Sequence, residues 1–316
     1  MKKLLSIVLA ALMLAAVFAF AGCKKAPADD TVIRIAALKG PTGMGMAPLT
    51  NKETYPRYNI EIGSDPSAVT SAFIAGDYDI AALPVNVAAV LYNKLEGDVV
   101  MLGINTLGVL YVLESGNEIN SMADLSGKTL YATGQGSTPE YILNYLLDKN
   151  GLTDVTVEFK AEHSELAALM AEGSVTLGMM PEPNVTATMA KNDQLRVALD
   201  LTSEWSKITN TKLVQGVIIA RRSFVKEHEA RVKTFIEDYG KAVELINTAS
   251  DEACQMIVDA GILPAAPVAK KAIPRCNIVL ITGDEMKAAA SAMYEVLFTA
   301  DAKSVGGKIP AEDLYY

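Results

Sequence analysis

Two glycine-rich loops and one acid held between prolines are the places where this chain first offers chemistry. Lys39-Gly40-Pro41-Thr42-Gly43-Met44-Gly45 and Gly134-Gln135-Gly136-Ser137-Thr138-Pro139 each follow a short β-branched or apolar run. Glycine lets a backbone approach a ligand closely, and amides at a helix start carry partial positive charge. Thr42, Gly43, Met44 and Gly45 are therefore candidate ligand contacts, and so are Gln135, Ser137 and Thr138. The Ser137 and Thr138 hydroxyls have two uses open to them, capping a helix or bonding a ligand. Asn86 follows a third apolar run and can both donate and accept. Glu182, between Pro181 and Pro183, would repel an anion and favour an amine or amidine. Met44, Met46, Met179 and Met180 fall at the same loops, where thioethers either line an irregular ligand or fill the core.

Other chemistries find little support. A phosphate-binding loop needs Gly-Lys-Ser/Thr, and Met44-Gly45-Met46 supplies none. His163 and His228 are the only histidines, and Gly-x-Ser-x-Gly is absent, so no activated nucleophile can be assembled on the familiar plans. His163 lies at a loop edge beside Ser164, where capping a helix and bonding a ligand are both open to it. Three cysteines without Cys-x-x-Cys spacing do not describe a metal site, and no cofactor is called for. A formal charge of −9 argues against nucleic acid as a partner. Trp205, the sole tryptophan, either stacks on a ligand ring or packs beneath a returning strand.

The elements that must position these residues repeat. Strands are expected at Thr31 to Leu38, Asn59 to Ile62, Asp79 to Leu83 and Asp98 to Ile104, with helices from Ser67 to Ala75 and from about Val87 to Lys94. Asp65 before Pro66 suits an N-cap with proline at the first helical position. After an extended run at Val109 to Glu114 the alternation restarts. Strands are expected at Thr129 to Ala132, Val155 to Lys160 and Val175 to Met179, with helices at Glu140 to Lys149, from His163 to about Glu172, and after Asn184. Val214 to Ala220 returns as one strand, and Ser223 to Thr248, Asp251 to Ala260 and Asp284 to Ala300 are helical. Two α/β units in series predict two lobes, each a mostly parallel sheet flanked by helices, with ligand chemistry at the C-terminal strand edges. The expected divisions are 31–108 for lobe 1, 109–215 for lobe 2, and 216–316 returning to lobe 1. Two crossings make such a molecule able to close on a solute.

The first 22 residues have a basic start, an apolar run from Leu4 to Phe20 and small residues before Cys23, the plan of a secretory signal peptide. Residues 23–30 read as a tether. Cys254 and Cys276, facing an oxidising compartment, are left open between a disulfide and two buried thiols.

Phe20-Ala21-Gly22-Cys23 resembles the bacterial lipobox, which implies acylation of Cys23 and a lipid anchor in the cell membrane. Asp124-Leu125-Ser126-Gly127-Lys128-Thr129-Leu130, the Gly134 to Glu140 segment and the ending Gly306-Gly307-Lys308-Ile309-Pro310 appear in an order similar to solute-binding lipoproteins of ABC importers. The resemblance is to the nitrate, sulfonate, taurine and thiamine-pyrimidine type and covers nearly the whole chain from Thr31. It implies a type II periplasmic-binding-protein fold, a cleft between lobes, no catalysis, and a permease with its ATPase as partners. The expected molecule is an extracytoplasmic monomer carrying a small organic solute. Glu182 and the methionines point to a neutral or partly cationic one, such as an aromatic heterocycle. A surface accessory or adhesin lipoprotein is the alternative, and an enzyme on the same fold a more distant one.

Overall fold

The computed structural model describes residues 30–316; the signal segment, Cys23 and the tether up to residue 29 lie outside the described residues. β1 (Ile33–Leu38), β2 (Tyr58–Gly63), β3 (Ile80–Pro84) and β4 (Val100–Leu107) alternate with α1 (Pro41–Met44), α2 (Pro66–Ala75) and α3 (Val85–Lys94). Asp65 does cap α2, accepting the Ser67 amide at 2.8 Å. β5 (Leu110–Ser115) opens a second series. It continues through β6 (Thr129–Thr133), α4 (Thr138–Lys149), β7 (Thr156–Lys160), α5 (His163–Ala171), β8 (Leu177–Pro181) and α6 (Asn184–Met189). β9 (Leu195–Asp200) and α7 (Leu201–Ile208) complete it. β10 (Val214–Ala220) then leads into α8 (Arg222–Glu227), α9 (Glu229–Asn247), α10 (Asp251–Asp259), α11 (Ala266–Ala272), β11 (Ile278–Ile281) and α12 (Gly283–Ala300).

The strands form a six-stranded sheet, β11-β4-β10-β3-β1-β2, and a five-stranded sheet, β7-β6-β8-β5-β9. Both contain the same plan. In the first, β1 to β4 share one direction, and β10 is inserted antiparallel between β3 and β4. In the second, β6 to β9 share one direction, and β5 is inserted antiparallel between β8 and β9. The inserted strand is in each case the one by which the chain enters from the other sheet. Such a strand arrives without a crossover helix, and so runs against its neighbours. Helices cover both faces of each sheet, as buried strands require. One apolar cluster runs through both sheets, from Ala36, Leu83 and Met101 to Val112, Met179 and Trp205.

One expected helix is divided, and four elements, β9, α7, α11 and β11, were not anticipated. The helix expected over Ser223 to Thr248 is broken at His228, whose backbone leaves helical geometry while the apolar period continues past it. β9 and α7 follow each other without a loop, because the Asp200 carboxylate ends the strand and accepts the Thr202 amide at 2.9 Å. α11 was not anticipated, and neither was β11, a four-residue edge strand on the first sheet. Trp205 packs under the returning chain, donating its indole N–H to the Thr211 carbonyl at 3.0 Å and contacting the Tyr145 ring. Cys254 and Cys276 are both free and buried. No helix among the described residues is long and apolar enough to cross a membrane.

Gly45 shows how closely the first lobe packs. A Cβ there would run into the Tyr239 hydroxyl of α9, which is itself buried. Overpacking of this kind costs about 1–3 kcal/mol. Gly45→Ala should lower the unfolding free energy by about that amount, and Tyr239→Phe in the same chain should restore most of it, as read by urea denaturation.

Candidate functional site

The loops that leave the C-terminal ends of β1, β3, β6 and β8 meet one another between the two sheets. Thr138 at the start of α4 donates its hydroxyl to Asn86 Oδ1 at the start of α3, at 2.8 Å, and both residues are buried. Gly40, with φ +103°, sits after β1, and a Cβ built on it would lie 3.9 Å from the Pro183 ring after β8. The positive φ favours glycine there, and the 3.9 Å spacing is ordinary van der Waals contact. Beside this contact Glu182 Oε1 lies 3.5 Å from Arg275 Nη1, from the segment before β11. The four loops singled out by residue type are thus brought together in two pairs, Asn86 with Thr138 and Gly40 with Pro183.

Individual candidates take different parts. In the first loop the Gly43 and Met44 amides both bond the Gly40 carbonyl, at 3.1 and 2.9 Å, so they close the turn. A Cβ on Gly43 would run into the Leu38 carbonyl, and Met44 is fully buried, with its sulfur 3.8 Å from Cys276 Sγ. Gly43, Met44 and Gly45 therefore build the turn, while Thr42 is half-buried at its surface. Thr42 donates its hydroxyl to Leu38 O at 3.2 Å, and its carbonyl accepts from Asn105 Nδ2 at 3.4 Å. Met46, Met179 and Met180 are fully buried, so these thioethers are core filling.

In the second glycine loop Gln135 is exposed. Ser137 does not cap α4; its hydroxyl turns back to the Gly134 carbonyl at 2.6 Å. The Gly136 amide is taken by Glu140 Oε2, also at 2.6 Å. The amides of this loop are largely consumed by its own turn. His163 accepts or donates at Nδ1 to the Thr133 hydroxyl at 2.7 Å, and burial lowers its pKa.

Glu182 differs most from its expected part. Its side chain is 0 % exposed. Oε2 accepts the Thr186 amide at 3.1 Å and Oε1 the Thr186 hydroxyl at 2.8 Å, so the carboxylate caps α6. Burial raises its pKa, and the Thr186 bonds and Arg275 work in the opposite direction. An unpaired carboxylate displayed to an amine is not what the structure holds; the acid is already matched by a guanidinium. That reverses the charge reading drawn from Glu182 alone.

Two residues at the site went unnoticed in the sequence. Arg275 lies some ninety residues from Glu182, in a short turn whose pattern announces only a loop. Asn105, fully buried in β4, is flanked by apolar residues and reads as part of a strand. Asn105 Oδ1 accepts from Thr106 at 3.3 Å and would meet a Cβ on Gly216 of β10. A buried polar side chain inside an apolar strand was the available signal. Among the described residues no group of three or more His, Cys, Asp or Glu side chains is placed to hold a metal ion.

Comparison with known proteins agrees with this architecture. No curated protein matches the chain by sequence. The chain superposes on an ABC transporter structure from Parabacteroides distasonis with a TM-score of 0.78 and 23 % identity, covering 90 % of this chain and 99 % of that one. For the periplasmic aliphatic sulphonate binding protein SsuA from Escherichia coli the values are 0.69 and 20 %, covering 90 % and 96 %. A Candida albicans protein described as having the generic periplasmic binding protein fold gives 0.53 and 12 %, covering 90 % and 92 %. Residues 59–253 match the model of the NMT1/THI5-like family. With that match over more than half of its length, and with two helix-flanked sheets whose strand edges face each other, the chain belongs to the NMT1/THI5-like family and has the periplasmic-binding-protein fold.

Proposed function

We propose that this protein is the extracytoplasmic solute-binding component of an ABC importer, anchored by lipid at Cys23. It captures a small organic solute between its lobes and delivers it to a permease with a cytoplasmic ATPase. The observation that carries the reading is the meeting of the Asn86, Thr138, Gly40 and Pro183 loops from the two sheets. The similarity to an ABC transporter structure and to a sulphonate-binding protein supports it. The lobes divide near Gly108 and again between Asp200 and Val214, and the segment after β10 returns to lobe 1. The protein acts as a monomer and performs no chemistry on its solute.

A solute held by both lobes binds the closed arrangement better than an open one, and shifts the population toward it by that difference. Thr42 and Asn86 would hold it from lobe 1, and Gln135, Ser137 and Thr138 from lobe 2. Gly43, Met44 and Gly45 shape the wall behind Thr42, and Glu182 positions the α6 loop. The side chains placed to reach a solute are amides and hydroxyls, which suits a polar organic molecule recognised by hydrogen bonds.

A thermal-shift screen of residues 31–316 with sulfonates, nitrate, amino acids, pyrimidines, thiamine fragments and polyamines tests the reading. A ligand at a hundred times its Kd adds about 2.7 kcal/mol, so one chemical class should raise Tm saturably by several degrees. Binding of no small solute by equilibrium dialysis at millimolar concentration would overturn it. Thr138→Val should weaken the solute identified by about tenfold, because it strands the Asn86 carbonyl in the closed form. Cys23→Ser should move the full chain from the membrane fraction to the soluble fraction.

A further inference from the structure

The charged pair between the lobes has a consequence for which solutes can enter. We propose that Arg275 and Glu182 act together as a charge filter, selecting a solute whose group at this corner is uncharged. The inference rests on the solute-binding reading above and specifies its substrate class.

The geometry holds the pair from both lobes. Glu182 follows β8, and its carboxylate is turned to Thr186 and Arg275. Arg275 comes from the other lobe. Its carbonyl accepts the Tyr111 hydroxyl of β5 at 3.0 Å, and the next residue, Cys276, is buried against Met44. Its guanidinium Nη1 also lies 3.4 Å from the Thr186 hydroxyl, and 39 % of the side chain is exposed. The arginine is thus the reachable half of the pair, and the carboxylate is the sealed half.

Of the other titratable groups at this corner two are neutral and two are charged. Burial raises the Tyr111 phenol and the Cys276 thiol, keeping both neutral at physiological pH. Asp200, near Tyr111, is committed to capping α7. Lys39 is exposed, one residue before Gly40. The corner therefore carries one cation and one anion in contact, Arg275 and Glu182, with the Asp200 carboxylate turned to α7 and the Lys39 ammonium in solvent beyond them. A solute cation would meet the arginine first, with the carboxylate out of reach behind it. A solute anion would draw the arginine away from a carboxylate that is fully enclosed, and leave that charge uncompensated. An amide, hydroxyl or ring nitrogen meets neither penalty, and Asn86 and Thr138 supply its neutral partners.

Glu182→Gln, Arg275→Gln and the double variant separate the terms, with butyramide, butane-1-sulfonate and butylammonium as probes of matched size. Affinities are measured by calorimetry after each variant's fold is checked by circular dichroism. Glu182→Gln should bind the sulfonate at least about tenfold more tightly than the unaltered protein does, and Arg275→Gln should do the same for butylammonium. The double variant should gain affinity for neither. If Arg275→Gln fails to fold, Glu182→Gln and the double variant still decide the matter, since neither leaves a buried carboxylate alone. The proposal is overturned if the unaltered protein binds either charged probe as tightly as the matching variant, or if the folded single variants gain no charged probe. Loss of the solute-binding reading would show separately, as silence of the unaltered protein in the solute screen.

Discussion

Two residues, Gly108 and Val109, carry the chain from β4 to β5, and the facing of the two sheets depends on how they are held. A Cβ on Gly108 would collide with Thr202 of α7 and press on Leu213 before β10, so the two crossings pack directly on each other. Asn277 ties them to the C-terminal segment: its amide donates to the Gly108 carbonyl, and its own carbonyl accepts the Leu107 amide at 3.1 Å. Val214 pairs with Leu107 in the same place. Because three passages of chain converge there, the C-terminal edges of β1 and β3 are set opposite those of β6 and β8. The bond between Thr138 and Asn86 is a result of that placement.

Polar groups at the site are economically used. Most loop amides close their own turns, and the buried carboxylate caps a helix and meets an arginine. What is left for the proposed recognition is a small set of amides and hydroxyls against fully buried methionines. Buried polar groups cost free energy when unpaired, about 1–3 kcal/mol each. Arg275 is different in kind, since it joins the lobes by charge, and parting it from an enclosed carboxylate leaves that charge uncompensated. In the proposed solute-binding function, closure that relies on such a pair and on one neutral hydrogen bond leaves the solute to supply the remaining difference between states.

Much of the fold was legible in residue patterns. β-branched runs ending in Gly-Pro, Gly-Gln-Gly or Pro-Val-Asn marked β1, β6 and β3, and Asp65-Pro66 marked the start of α2. The doubled order of strand, loop and helix marked two lobes, because local propensity and turn chemistry act over a few residues. The break at His228 was invisible, since helical periodicity runs through it. β11 was invisible too; four residues at a sheet edge owe their conformation to β4, not to their own preference.

The sequence by itself determined which loops carry glycine, amide and hydroxyl groups, and that they sit after parallel strands. Those facts depend on residue type and near neighbours. Tertiary structure decided what each group is used for. Whether Glu182 faces a ligand or a guanidinium depends on Arg275, which is remote in the chain and arrives only when the C-terminal segment returns to the first sheet. Charge and desolvation act through space, so the meaning of a carboxylate is set by the neighbours that folding brings to it.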